Sequence, residues 1–161
     1  MSLYNRRSVL FAPLVLAACG FAPAYGPEGA ASGLQGRIRV ADPKDKQGFD
    51  LVERLEERLG RPEAPQYDLT YTITTEAVNL GITQDNTITR FHLTGHIDWT
   101  LTSRTTGQRA TGGRAQGFTA YSATGSTVAA LAAEQDAGFR LMRILADQIV
   151  TQLIATAGNW E

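Results

Sequence analysis

Three groups of side chains in this sequence could carry chemistry: a single cysteine, two histidines close to an aspartate, and a set of arginines. Cys19 is the only thiol, and His92 and His96 lie shortly before Asp98. A thiol can be acylated or act as a nucleophile, imidazoles and carboxylates can bind metals or move protons, and guanidinium groups bind anions. The three groups therefore point to different functions.

Cys19 ends a segment with the features of a bacterial export signal. Arg6 and Arg7 give it a positive start, residues 9–18 are almost entirely apolar, and small residues lead directly into Cys19. The apolar run of about ten residues is roughly half of what a membrane-spanning helix needs, so it indicates a cleaved signal peptide. The stretch resembles the lipobox of bacterial lipoproteins, in which the cysteine sulfur receives a diacylglycerol and the peptide is cut before it. We therefore predict a signal peptide over 1–18 and lipidation of Cys19.

The same region bears on the export route and on anchoring. Residues 5–10, Asn-Arg-Arg-Ser-Val-Leu, also have the twin-arginine shape that marks a Tat signal, so the Tat route stays open. The Sec route is favoured because two adjacent arginines are common in ordinary signal peptides. Three acyl chains, as the lipoprotein pattern implies, would hold the protein on a membrane, since each buried methylene contributes about 0.8 kcal/mol. Residues 19–33, rich in glycine, alanine and proline, are predicted to be a flexible tether, and residues 34–161 a single domain.

Composition excludes some function classes. Without the signal peptide and its two arginines, the chain has 143 residues with 13 basic and 16 acidic side chains. This mildly acidic balance does not favour a nucleic-acid partner. With Cys19 modified, no thiol is left for a disulfide, a metal or catalysis.

The two histidines are not spaced to share a metal. Residues four apart on a strand have Cα atoms about 13 Å apart, whereas a shared metal needs donor atoms within roughly 2.1 Å of one ion. Asp98 lies on the same face, but no Gly-x-Ser-x-Gly motif accompanies it, and Gly112–Gly117 lacks the Lys-Ser/Thr pair of a phosphate loop. We predict no catalytic residue, no metal, no cofactor and a non-enzymatic protein.

The arginines form a local charge bias in an otherwise acidic chain. Between Asn86 and Phe118 there is one acid, Asp98. The basic residues in the same interval are Arg90, Arg104, Arg109 and Arg114. Arginine binds phosphate and carboxylate well, so this hairpin is a candidate contact for an anionic lipid headgroup. Protection of an edge strand against aggregation is the alternative, and it stays open.

Hydrophobic periodicity predicts the order strand, helix, strand, strand, strand, helix. The predicted strands are 36–40, 67–74, 90–101 and 108–121, with turns at 81–86 and 105–107, and the first helix runs from Lys46 to Leu59. The glycines of the last strand indicate a bulge or a close approach by another backbone.

The final helix is predicted to begin at Ser126 and to run to roughly 40 Å if it is unbroken, with Gly138 as its weakest point. Its predicted apolar stripe is Val128, Leu131, Gln135, Phe139, Met142, Leu145, Ala146, Ile149, Leu153 and Ile154.

Together these elements predict an α+β fold, a mixed four-stranded sheet with two helices packed on one face. The first strand must reach the sheet through a helical crossover, and the later strands form antiparallel hairpins. Each clear strand has one apolar face, so both helices should cover the same side. The other side is rich in threonine and is left for water or a partner.

Three segments resemble the lipopolysaccharide-assembly lipoprotein family LptE, particularly its alphaproteobacterial members. They are Cys19–Pro23 with Tyr25–Gly26, Asn86–Arg90, and Ala130–Ala137 with its continuation to Leu145–Ile149. The likeness extends over the whole mature chain, and the lipobox and the final helix are its most distinctive parts. The family's fold, two helices against a mixed four-stranded sheet, matches the predicted one.

The resemblance implies a non-enzymatic lipoprotein on the periplasmic side of the outer membrane. Such a protein sits in the lumen of the β-barrel LptD and assists delivery of lipopolysaccharide to the cell surface; Gly20 after the cysteine fits the family's sorting pattern for that membrane. A polar sheet face suits a polar barrel lumen, and the arginine group becomes a set of candidate lipopolysaccharide contacts. The alternative is another outer-membrane lipoprotein of α+β build, such as an auxiliary component of a lipid transporter.

Overall fold

The structure is a computed structural model that describes residues 29, 33–82, 88–123 and 126–160. Cys19, the predicted signal peptide and most of the predicted tether lie outside the described residues, as do positions 83–87. The elements are β1 (Ile38–Val40), α1 (Lys46–Leu59), β2 (Tyr67–Ile82), β3 (Ile88–Ser103), β4 (Arg109–Ser122) and α2 (Thr127–Thr156), followed by a 3-10 turn at Ala157–Asn159.

The strands form one mixed sheet in the order β1-β2-β3-β4. β1 is parallel to β2, because α1 carries the chain back between them, and the other two pairs are antiparallel hairpins. The predicted α+β fold with its mixed sheet is confirmed. β1 pairs with Tyr67–Leu69 alone, so β2 extends far beyond this short neighbour.

Local signals define α1 at both of its ends. The Asp45 side chain accepts a hydrogen bond from the Gly48 N–H at 2.7 Å, which satisfies a free donor in the first turn. Gly60 ends the helix at a φ of 76°, a conformation that favours glycine. The predicted bounds of α1 are therefore confirmed.

The helix α2 is continuous over 30 residues, so Gly138 does not break it. The helix begins at Thr127, one residue after the predicted start, and Ser126 caps it by accepting a hydrogen bond from the Ala129 N–H. The first part of the predicted stripe is wrong, since Val128 and Leu131 are 78% and 55% exposed. The buried residues of α2 are Ala137, Leu141, Met142, Leu145, Ala146, Ile149, Val150 and Leu153. The first turns of α2 are rich in alanine, so apolar and polar residues differ too little there to predict which side of the helix faces the sheet.

Glycines in β3 and β4 let α2 approach the sheet closely. A methyl group on Gly95 would lie 3.0 Å from Leu141 Cδ2, and one on Gly113 would lie 2.9 Å from Gln152 Oε1. That same oxygen accepts a hydrogen bond from Trp99 Nε1 at 3.0 Å. These two glycines therefore make room for side chains of the helix. The predicted close approach of a backbone is found at Gly112 instead, where a methyl group would lie 2.7 Å from the Trp99 carbonyl oxygen.

β4 has a bulge near its start, at Ala110 and not at the glycines where one was predicted, since Gly112, Gly113 and Gly117 pair regularly with β3. The register shifts between Leu101 and Thr102, whose partners are Thr111 and Arg109, so one residue of β4 is left over. β2 is also longer than predicted, because its pairing with β3 continues to Ile82, with an irregularity at Leu80, although the side chains of residues 75–82 do not alternate in polarity.

Candidate binding surface on the open face of the sheet

The open face is the side of the sheet opposite the two helices, and even-numbered residues of β2, β3 and β4 form most of it. Odd-numbered residues of β3 such as Leu93, Ile97 and Trp99 are buried under the helices. Because side chains alternate along a strand, their even-numbered neighbours point the other way. The polar residues of the open face include Thr72, Thr74, Glu76, His92, Thr94, His96, Asp98, Thr100, Arg114 and Gln116.

A shallow depression of about 660 Å³ extends from this face to the β4 edge, where Ile144 and Gln148 of α2 also line it. Its lining includes Thr74, Glu76, Thr94, His96, Gln116 and Phe118. It therefore presents hydroxyl, carboxylate, imidazole and amide groups beside one aromatic ring. This mixture suits contact with a polar surface or a sugar-like ligand better than a reaction that needs an activated nucleophile.

Asp98 and Arg114 form a bidentate ion pair on the open face. Arg114 donates from Nε and Nη2 to the two carboxylate oxygens at 2.7 and 2.8 Å. Hydrogen bonding from Arg114 holds the pKa of Asp98 below its ordinary value. Asp98 is thus kept ionised at neutral pH, so it does not serve as a general acid there.

The two histidines share the open face but have different neighbours. His96 Nε2 lies 3.9 Å from Asp98 Oδ2, and the His92 ring lies 5.1 Å from the ring of Phe118. Within the described ranges, no cluster of three His, Cys, Asp or Glu residues could hold a metal ion.

The four arginines are not brought together into one site. Arg90 lies near the start of β3, where its strand partner is Ser122. The opposite end of β3 is about 40 Å away. Arg104 lies in the turn beyond that other end, 3.5 Å from Asp68. Arg109 lies near the same turn, where its Nε donates to the Thr111 carbonyl at 3.5 Å.

Ion pairing also divides the four. Arg114 and Arg104 have acidic partners, Asp98 and Asp68. In the part of the chain that the structure describes, no acid lies within ion-pairing distance of Arg90 or Arg109. Arg90 and Arg109 therefore keep more of their capacity for an external anion, and lipopolysaccharide contact by any of the four stays a prediction.

Phe118 is a prominent residue of this face that was not predicted from the sequence, and its side chain is 62% exposed. Val78, whose side chain is 41% exposed, lies on the same face and is the cross-strand partner of His92. The signal was present in β4, since Phe118 occupies an even position between polar or small neighbours. The weak alternation of that strand concealed its direction.

Comparison with known proteins identifies the fold as that of a lipoprotein family. Residues 36–153 match the family described as LptE, lipopolysaccharide-assembly. The chain belongs to the LptE family. The match runs from just before β1 into the last turn of α2, so it includes the whole sheet and nearly all of both helices.

Solved structures of this fold are described as lipoproteins. A candidate lipoprotein from Caulobacter crescentus is 25% identical with a TM-score of 0.69, over 80% of this chain and 96% of that one. The rare lipoprotein B from Shewanella oneidensis is 14% identical with a TM-score of 0.59, over 76% and 96%. A minor lipoprotein from Acinetobacter baumannii is 16% identical with a TM-score of 0.54, over 74% and 90%. No curated protein matches the chain significantly.

Membership of the LptE family makes the chain an LptE-like lipoprotein, and the family is non-enzymatic. Among the described helices, none combines the length and the apolar character that crossing a membrane requires.

Proposed function

We propose that this protein is an outer-membrane lipoprotein, attached through Cys19 on the periplasmic side, that partners the β-barrel LptD in lipopolysaccharide assembly. The observation that carries the proposal is the family match over residues 36–153, which includes every strand of the sheet. Recovery of the barrel with the protein from membranes is the experiment that tests it.

The chemistry of the open face supports a binding role. Threonine hydroxyls, an amide and an ion pair cover it, and such groups match the polar side chains that line the lumen of a large barrel. Polar contacts of this kind position a partner without needing a reactive group.

The arginines supply a second part of the proposal, contact with the phosphates and carboxylates of lipopolysaccharide. Arg104 and Arg109 lie by the turn between β3 and β4, at the end of the sheet where the chain enters β1. The backbone N–H of Arg104 bonds to Gln66 O there, one residue before β2 begins. A protein held through Cys19 enters its fold at this same end.

We expect the double change Arg90→Gln and Arg109→Gln to weaken binding to lipopolysaccharide about thirtyfold, since each basic side chain near an anionic membrane surface contributes about 1 kcal/mol and a factor of ten corresponds to about 1.4 kcal/mol. Binding to vesicles with and without lipopolysaccharide measures the effect, and far-UV circular dichroism should be unchanged. Adding Arg104→Gln and Arg114→Gln should weaken binding further.

The matched control is Lys44→Gln with Arg61→Gln, which removes the same charge from exposed positions next to α1. Binding by the control should equal that of the unchanged protein. If both double variants bind as well as the unchanged protein, the arginines are removed from the proposal. If both lose the same amount of binding, the effect is one of net charge.

A further inference from the structure

The two edges of the sheet differ, because side chains of α2 close the edge formed by β4. Arg140 Nη2 donates to the Ala120 carbonyl at 3.3 Å, and Gln152 Nε2 donates to the Arg114 carbonyl at 3.0 Å. Gln148 Oε1 accepts from the Gln116 N–H at 3.1 Å. These groups occupy backbone positions that a further strand would need, so β4 is protected from pairing.

Among the residues that the structure describes, the backbone of the opposite edge is left largely unpaired because β1 is so short. The last backbone bond from this side runs from the Ala41 N–H to the Leu69 carbonyl at 2.9 Å. Within the described residues, no backbone group bonds to β2 on this side beyond Leu69. The outer edge of β2, defined here as Tyr71–Asn79, is therefore about 26 Å long.

The direction of the backbone groups along this edge follows from the pairing with β1. The Tyr67 N–H bonds to the Arg37 carbonyl, and the Leu69 carbonyl accepts from Ala41, so odd-numbered residues face outward. By the two-residue period of a strand, the outward set also includes Tyr71, Ile73, Thr75, Ala77 and Asn79. These five residues present alternating donors and acceptors, which an extended chain satisfies directly.

A groove of about 360 Å³ runs beside the part of this edge that is nearest to β1. One side is formed by Ala41, Lys44 and Gly48, and the other by β2 at 70–73. Burial, together with the charges of Asp45 and Asp42, raises the pKa of the Tyr71 hydroxyl above its ordinary value.

We propose that the outer edge of β2 binds an extended segment of the partner polypeptide, which adds a fifth strand to the sheet. The inference rests on the proposed function, since the partner is the barrel protein of that proposal. The segment is not one of the strands that form the barrel wall, because each wall strand already pairs with a neighbour on both sides.

A second copy of this chain fits the edge less well. Two β2 strands paired about a two-fold axis at Thr75 would place Gly81 of one copy opposite Leu69 of the other. Val40 already fills that position. A flexible segment can stop at Tyr71, where β1 and its connection begin, so it can use the full edge without this overlap.

Amide hydrogen exchange in the free mature protein and in its purified complex tests the inference. In the complex, exchange at the five outward amides should slow at least tenfold, while the even-numbered amides, which face β3, stay protected in both samples. A complex with no change at the outward amides would contradict the added strand and leave the proposed function standing.

Two other results would also overturn the inference. Slow exchange of the outward amides in the free monomer would mean that the chain's own segment covers the edge, and protection that depends on concentration would mean a second copy. Failure to recover any complex would remove the proposed function and this inference together.

A pair of substitutions at Ala77 separates backbone pairing from side-chain contact. Ala77→Pro removes one outward N–H at an exposed edge position, where proline is tolerated. It should weaken the complex about tenfold with little change in Tm of the free protein. Ala77→Ser keeps the N–H and should leave binding unchanged, and equal binding by both variants would count against pairing at this edge.

Discussion

Replacing Leu141 with alanine is expected to lower the free energy of unfolding by about 3 kcal/mol, within the range of about 2–5 kcal/mol for such a truncation in a core. Leu141 is fully buried, and its Cδ2 lies 3.0 Å from where a methyl group on Gly95 would be. The residues around it are held by the sheet on one side and by α2 on the other, so they cannot collapse far into the cavity. Urea unfolding of the domain measures the loss.

Leu131→Ala is the matched control, because the same atoms are removed from the same helix at a residue that is 55% exposed. Its effect should stay within about 0.5 kcal/mol. Equal losses at both positions, or a greater loss at Leu131, would mean that the N-terminal half of α2 faces the sheet as the apolar stripe predicted from sequence, contrary to the structure.

Replacing Cys19 with alanine is expected to abolish incorporation of labelled palmitate and to release the protein from membranes. Cys19 is the only cysteine of the chain, so no second thiol can take the lipid. With the acyl chains removed, the apolar area that would hold the protein on a bilayer is lost. Metabolic labelling followed by membrane fractionation measures both results.

Gly26→Ala serves as the control for this change, since it lies in the predicted tether and leaves the cysteine intact. It should retain the label and the membrane fraction. Labelling of the Cys19→Ala protein would overturn the lipid assignment, whereas membrane retention without label would indicate an anchor of another kind.

Much of the fold follows from local patterns in the sequence. The helix α1 has an amphipathic repeat and a stop signal at Gly60, so its approximate bounds were predictable, and the Asp45 cap seen in the structure is equally local. The alternation along β3 assigns Leu93, Ile97 and Trp99 to the buried side because strand side chains alternate strictly. These signals depend on neighbours in the chain.

Features that depend on distant residues could not be predicted in the same way. Arg54 on α1 donates to Asp147 on α2 through two bonds of 3.0 Å, although 93 positions separate them. The length of β2 depends on pairing with β3, not on its own alternation. The ion pairing of the four arginines could not be predicted either, because Arg114 meets Asp98 only through the register of β3 and β4.

The most direct test of the proposed function is recovery of the tagged mature protein from detergent-solubilised outer membranes, followed by identification of what comes with it. The proposal predicts stoichiometric recovery of LptD with the protein, and loss of the pair when the tagged protein is omitted. Recovery of the protein alone, or with a lipid transporter and without LptD, would contradict it.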